Sequence, residues 1–380
     1  MKPRRIYIVL MDDPIYKQSS LRVAGALAKA GHEVTMVGRK MGGSPGMGGP
    51  LDAPRFESAR DPNRPRQVRL KCLFRKGKAG YAEMNLRIFF YLLFHRVDLV
   101  CAVNLDTILP CYAVSVLKRI PRLYDARELF TEMAEVVARP RIRKVWLWVE
   151  RTMVPRFPRG YVVCQSIAEE LERRYRVRYT VVRNMTVLDE TKPTGASPLE
   201  GPYLLYQGAV NHGRGLDALM GAMRHIDIPL VVCGTGNYMQ HTLALVESYG
   251  LKNKVRFTGQ LRPEELRRYT DHALIGVNLV EREGFNQYYS LPNKLFDYIH
   301  AELPQVTMDY PEYRRVQDVF EIGILLPDVT EADIIHAIRL LRTDEALYTR
   351  LKENCRKARL VFNWQQEEGK LLEIVRNELS

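Results

Sequence analysis

The sequence has no run of the ~18 consecutive apolar residues that a membrane-spanning helix needs. The segment RIYIVLM at 5–11 is too short for a signal-peptide core and runs straight into Asp12 and Asp13, so no secretion signal is expected. Cysteine is sparse, with six in 380 residues (Cys72, Cys101, Cys111, Cys164, Cys233 and Cys355), and no two have C-x-x-C spacing. This pattern excludes a zinc-ribbon site and a disulfide framework, and it fits a reducing cytoplasm. The basic stretches resemble neither an RNA-binding pattern of aromatics nor a recognition helix after a tight turn, so nucleic acid is not an expected partner. What the chain does have is ordinary globular composition, 46% hydrophobic and 27% charged, and a formal net charge of +13. Such an excess suits anionic substrates or an anionic surface. At this length about two domains of ~150–200 residues are expected.

Short apolar runs alternate with helical patterns almost throughout. In the first half the strands are RIYIVLM, HEVTMVG (32–38), DLVCAV (98–103), RLYDA (122–126), GYVVCQS (160–166) and YTVVRN (179–184). A basic, hairpin-like passage fills 60–78. The polar segment 188–201 reads as a linker, and the alternation restarts with YLLYQG (203–208) and ends with GILLP (323–327). Strands alternating with helices imply βαβ units and parallel sheets, and runs without strict alternation imply strands covered on both faces. The expected fold class is therefore α/β, with two doubly wound domains at 1–187 and 202–363. Ligands of such sheets bind at the carboxyl ends of the strands, so a cleft between the domains is the expected site.

Three features of the second half fall at those ends. YQGAVNHGRGLDAL (206–219) places Gly208 at a strand end and Arg214 and Gly215 at the next helix start. Glycines there let a phosphate approach the backbone, and Arg214 offers it a bidentate contact; a glycine-relieved loop with a surface arginine is the alternative. CGTGNY (233–238) contributes Gly234 and Gly236, a signal that a tight turn alone also explains. YYSLPNKLFDYIHAELP (288–304) starts a helix with Ser290, Leu291, Pro292, Asn293 and Lys294. Free N–H groups, the helix dipole and one ammonium suit an anion. Asp297 shares a face with Lys294. Either it holds ribose hydroxyls or the two form a surface ion pair.

The chain resembles the family 4 glycosyltransferases over nearly its whole length. YQGAVNHGRGLDAL looks like that family's diphosphate loop, VRFTGQLRPEELRRYTDHALIGVNL (255–279) its passage near the nucleobase, and YYSLPNKLFDYIHAELPQV its signature segment. DARELFTE (125–132) with WVER (148–151) resembles an acceptor-domain segment. The resemblance implies the GT-B fold, a final helix (364–380) crossing back to the first domain, and retaining transfer from a nucleoside-diphosphate sugar; the basic charge points to a lipid-linked or glycan acceptor. The resemblance also implies catalytic roles for Arg214, Lys294 and Arg127 and donor contacts from the glycines, Ser290 to Asn293 and Asp297. No metal or other cofactor is expected, since two cations and a helix dipole balance the diphosphate and no D-x-D cluster ends a strand. Two positions depart from the family pattern. The two signature glutamates, eight positions apart, are Tyr289 and Asp297 here, and the usual acceptor-side histidine is Arg127, which cannot accept a proton. A degenerate nucleotide-sugar-binding protein is thus the second reading. A dehydrogenase or epimerase would want G-x-G-x-x-G after the first strand, which instead reads MDDPIY.

The basic residues also suggest a membrane surface. On a helix through 140–154, Ile142, Val145, Val149 and Met153 are expected to face inward, and Arg141, Lys144, Trp148 and Arg151 to face anionic head groups. Arg64, Arg66, Arg69, Lys71, Arg75, Lys76 and Lys78 would extend that surface at the cytoplasmic face of a membrane.

Overall fold

The structure, a computed structural model, describes residues 2–41, 65–74, 77–190 and 195–379. Arg64, Arg75, Lys76 and residues 191–194 of the expected linker lie outside them. Packing divides the chain into two units, Met1–Asn184 with Glu367–Ser380, and Met185–Gln366.

The first unit holds seven strands: β1 (Arg5–Val9), β2 (Glu33–Arg39), β3 (Arg66–Leu70), β4 (Leu99–Val103), β5 (Arg122–Ala126), β6 (Gly160–Val162) and β7 (Thr180–Val181). They run parallel in the order β3-β2-β1-β4-β5-β6-β7. The inner strands are apolar because helices cover both faces, and all five residues of β4 are buried. The chain order reverses between β1 and β4, which opens a crevice at their carboxyl ends.

The second unit repeats the plan with β8 (Leu204–Gln207), β9 (Leu230–Cys233), β10 (Val255–Gly259), β11 (Ile275–Asn278), β12 (Gln305–Met308) and β13 (Gly323–Leu326), ordered β10-β9-β8-β11-β12-β13. Here the reversal lies between β8 and β11. The last helix, Trp364–Leu379, starts in this unit and continues into the first, where the Glu367 carboxylate accepts from the Arg183 N–H at 2.9 Å and Glu378 pairs with Arg159 at 2.7 Å.

Two expectations need correction. In the passage at 60–78, residues 66–70 form β3, which pairs parallel with β2 at the edge of the described sheet rather than as one arm of a hairpin. Its Arg69 points inward and pairs at 2.8 Å with the fully buried Asp13, so it adds nothing to a basic surface. The helix Pro140–Met153 departs from the expected pattern at one position: Val149 is buried and Arg141, Lys144, Trp148 and Arg151 are exposed as expected, but Val145 is not turned inward. Val145 is 60% exposed, and the inward position belongs to Trp146, whose ring meets Phe130 at 4.8 Å and Tyr81 at 5.8 Å. Glu150 fills the next inward turn, because Thr131 and Tyr175 hydroxyls satisfy its carboxylate at 2.9 and 2.6 Å.

Candidate functional site

The crevice between the ends of β8 and β11 is built by loops that only glycine permits. After β8 the chain turns at Gly208 (φ +118°), and after β9 at Gly234 (φ +153°). A Cβ on Gly234 would lie 1.8 Å from the Gly208 carbonyl oxygen, and one on Gly236 would lie 2.1 Å from that of Val210. Backbone bonds then zip the two loops together: Gly208 N–H to Cys233 O (2.9 Å), Val210 N–H to Thr235 O (3.1 Å) and Tyr238 N–H to Val210 O (2.9 Å). The glycines of CGTGNY are therefore needed for loop-on-loop packing.

The loop after β11 closes the other wall. The Gly215 N–H donates to Glu281 Oε1 at 3.0 Å, the Glu281 N–H donates to Gly213 O at 3.0 Å, and Glu283 meets His212 at 2.7 Å. Both glutamates thus brace the 208–215 loop. Tyr289, at the position of the first signature glutamate, stacks on Phe285 at 5.8 Å.

Lys294 stands at the centre of this frame. It is the second residue of the helix Asn293–His300, which begins after Pro292 with no side-chain cap. Only 9% of Lys294 is exposed, and its Nζ has no hydrogen-bond partner among the described residues. The ammonium sits 4.0 Å from the centroid of the Tyr206 ring, a weak substitute for a hydrogen bond. Burial, and then the nearby charge of Arg214, bring its pKa down to about 7. A side chain on Gly208 would begin 3.6 Å from Lys294 Cε, so glycine keeps that approach open. Arg214 is half-buried, and no carboxylate among the described residues pairs with it. Two cations, one of them stripped of water and unpartnered, with an uncapped helix end beside them, form a place for a multiply charged anion.

Asp297 does not pair with Lys294. Its oxygens accept from Thr186 Oγ1 at 2.6 Å and Gln207 Nε2 at 2.8 Å, and Gln207 is itself anchored by Thr270 at 2.9 Å. Ser290 bonds back to Gln287 O at 2.8 Å, Leu291 is buried, and Asn293 is exposed. Tyr206, Gln207 and Thr186 were not singled out from the sequence. Gln207 alone left a trace there, as a polar residue ending an apolar strand.

In the first unit, Arg127 follows β5 and lies away from this frame in sequence and unit. Its Nε and Nη2 donate to Asp125 at 2.9 and 2.6 Å, Nη1 donates to Ser19, and its backbone N–H donates to Asn104 at 3.2 Å. Asp106, at the β1–β4 crevice, is pushed up to about 7 by burial and then by the charges of Asp12 and Glu128.

Two family descriptions match the chain: "Glycosyl transferases group 1" over residues 189–358 and "Glycosyltransferase Family 4" over residues 18–190. The chain belongs to the family 4 glycosyltransferases and has their GT-B fold. No curated protein matches it. Similar solved structures include a sucrose-phosphate synthase from Thermosynechococcus elongatus, 19% identical with a TM-score of 0.80 over 98% of each chain. HepE of Anabaena, in complex with UDP-glucose, is 10% identical with a TM-score of 0.75, covering 98% of this chain and 100% of its own. WaaG, a glycosyltransferase involved in lipopolysaccharide biosynthesis, is 15% identical with a TM-score of 0.71, over 97% and 99%.

Proposed function

We propose that this protein is a retaining hexosyltransferase that takes its sugar from a nucleoside-diphosphate donor held by the Lys294 crevice. The observation that carries the reading is the buried, unpartnered Lys294 ammonium facing the Gly208 loop. Donor phosphates would be held by Arg214, Lys294 and the N–H groups at Asn293, with Gly208, Gly215, Gly234 and Gly236 allowing close approach. Asp297, oriented by Thr186 and Gln207, is assigned to the ribose hydroxyls. The anomeric C–O bond to phosphate breaks and the acceptor oxygen bonds to the same carbon from the same face. The departing phosphate oxygen takes the acceptor proton. Negative charge grows on the diphosphate during this step, so Lys294 and Arg214 act most strongly in the transition state. No metal is assigned to the site. Arg127, held by Asp125, is assigned to the acceptor side as a donor of hydrogen bonds and not as a base.

Thermal shift with a panel of nucleotide sugars tests the donor assignment. A true donor at 100 times its Kd should stabilise by about 2.7 kcal/mol. Arg214→Ala should remove a charged hydrogen bond worth about 1.5–3 kcal/mol, seen in kcat/KM. An Arg214→Ala variant with wild-type turnover would leave Arg214 out of the donor site. Tyr289 at the glutamate position favours a second reading, a binding protein without transfer. Saturable donor binding with no transfer and no slow donor hydrolysis would favour that reading.

The acceptor is assigned as a lipid-linked or glycan chain in cell-surface polysaccharide or glycolipid synthesis, reached at the cytoplasmic face of the membrane; the likeness to WaaG supports this. Among the described residues no helix is long and apolar enough to cross a membrane. The outer face of Pro140–Met153 carries Trp148, 62% exposed, with Val145, Arg141 and Lys144. On the neighbouring helix Gly77–Phe94, Leu86, Phe90 and Phe94 are exposed at i, i+4 and i+8. Aromatics among cations are what an interfacial helix presents to anionic lipid. Cosedimentation should require anionic vesicles and weaken at raised salt, and Arg141→Glu with Lys144→Glu should abolish it. No vesicle binding at low salt would leave a soluble acceptor as the better assignment.

A further inference from the structure

A second cluster of cations lies in the first unit and takes no part in the donor crevice. The helices Pro140–Met153 and Gln165–Tyr175 border a cavity of about 640 Å³. Arg143, Arg151, Arg174 and Arg176 line it, with Glu132 and Tyr175. Of the residues lining it, four carry guanidiniums and one a carboxylate.

The four arginines fall into two kinds. Arg143 and Arg174 are fixed. Both bind Glu132, at 2.8 and 3.0 Å, and Arg143 also donates to Thr131 O at 3.0 Å. Arg174 is further held by Glu170 at 2.6 Å and faces Glu150 at 3.8 Å. Arg151 and Arg176 are exposed, and neither guanidinium has a carboxylate or hydrogen-bond partner among the described residues. A purely structural ion-pair network would not need these last two. The carboxylates at the cavity reach only the fixed pair, which leaves the two exposed guanidiniums for a ligand.

We propose that this cavity binds a phosphate-bearing ligand. Guanidinium forks match phosphate oxygens in pairs, and two complete forks are unused here. The volume lies within the usual range for small-ligand sites, about 300–1,000 Å³, so a phosphorylated head group or phosphosugar fits better than a bare ion. Arg143, Leu147 and Arg151 form one stripe on the helix at i, i+4 and i+8, and Trp148 lies roughly 60° around from Arg151. A lipid phosphate and a soluble phosphorylated molecule can therefore both reach the cavity. The proposal does not rest on the donor reading, and failure of either leaves the other standing.

The test uses the full chain carrying Lys294→Met, so that the donor crevice does not compete. One arm titrates pyrophosphate by calorimetry, and the other measures binding to phosphatidylglycerol and phosphatidylcholine vesicles. Both are repeated in Arg151→Gln/Arg176→Gln and in Arg176→Gly. The glycine variant relieves a left-handed backbone (φ +57°), so it removes the guanidinium without endangering the fold. Saturable pyrophosphate binding that weakens about tenfold or more in each variant supports the site. If vesicle binding falls in parallel, the head group is a source; if vesicle binding is unchanged, the ligand is soluble. Loss of phosphatidylglycerol binding alone, without pyrophosphate binding, also supports the site and assigns it to lipid. Binding in both arms that is unchanged by both variants, or absent from both arms, overturns the proposal.

Discussion

Lys294→Met is expected to lower turnover by about 100- to 1,000-fold while making the protein more stable near neutral pH. The two effects share one cause. An ammonium buried beside Arg214 without a hydrogen-bond partner is costly to the folded state. That cost is tolerable only if the same group is used when an anion arrives. Methionine keeps the length and apolar stem and removes the charge. The sign with pH follows from the depressed pKa. Between about 7 and 10.5 the unfolded chain holds the Lys294 proton and the folded chain does not, so wild-type stability rises with pH across that window. Below about 7 the full penalty is present. The variant should thus exceed wild type by a few kcal/mol at pH 6, an order-of-magnitude figure from the shift, and the gap should close towards pH 10. A variant less stable than wild type at pH 6 would mean that Lys294 is held by contacts absent from this account.

The second large effect is expected from Gly234→Ala, at about 3–5 kcal/mol of destabilisation with loss of donor binding. The added Cβ meets the backbone oxygen of Gly208 at 1.8 Å, and no rotamer change relieves a backbone clash. Gly208 must retreat, the Gly208–Cys233 hydrogen bond breaks, and the opening over Lys294 is lost with it. Gly250→Ala is the control. Gly250 also has a positive φ (+68°), but nothing lies within 4 Å of its added Cβ, so only the strain of about 1 kcal/mol should appear. Equal melting of the two variants in a denaturant series would remove the loop-packing argument.

Much of the fold was legible because inner strands of a parallel sheet are continuous apolar runs, as in LVCAV of β4 and LVVC of β9. β3 was not, because an edge strand can be polar: RQVRL hides its register until Arg69 is seen against Asp13. The exchange of Val145 for Trp146 on the inner face of Pro140–Met153 escaped for a different reason. The helix's apolar residues Val145, Trp146, Leu147 and Trp148 are consecutive, so periodicity alone does not choose which faces inward. At the candidate site the residue types and their places at strand ends could be read from the chain. The roles of Glu281 and Glu283 could not, since each acts on a loop about 70 residues earlier in sequence. Nor does any local pattern announce that Lys294 lacks a partner, because that depends on what three separate loops fail to supply.

The most direct test of the central claim is proton uptake on nucleoside-diphosphate binding, measured by calorimetry in buffers of different ionisation enthalpy. At pH 8.5 the diphosphate is fully ionised, and free Lys294, with its pKa near 7, is mostly neutral. Binding should restore the ammonium and draw about one proton from the buffer. At pH 6 the lysine is already charged, and this uptake should vanish. Tight binding at pH 8.5 without proton uptake, or with the same uptake in Lys294→Met, would contradict Lys294 as the group that receives the donor phosphates.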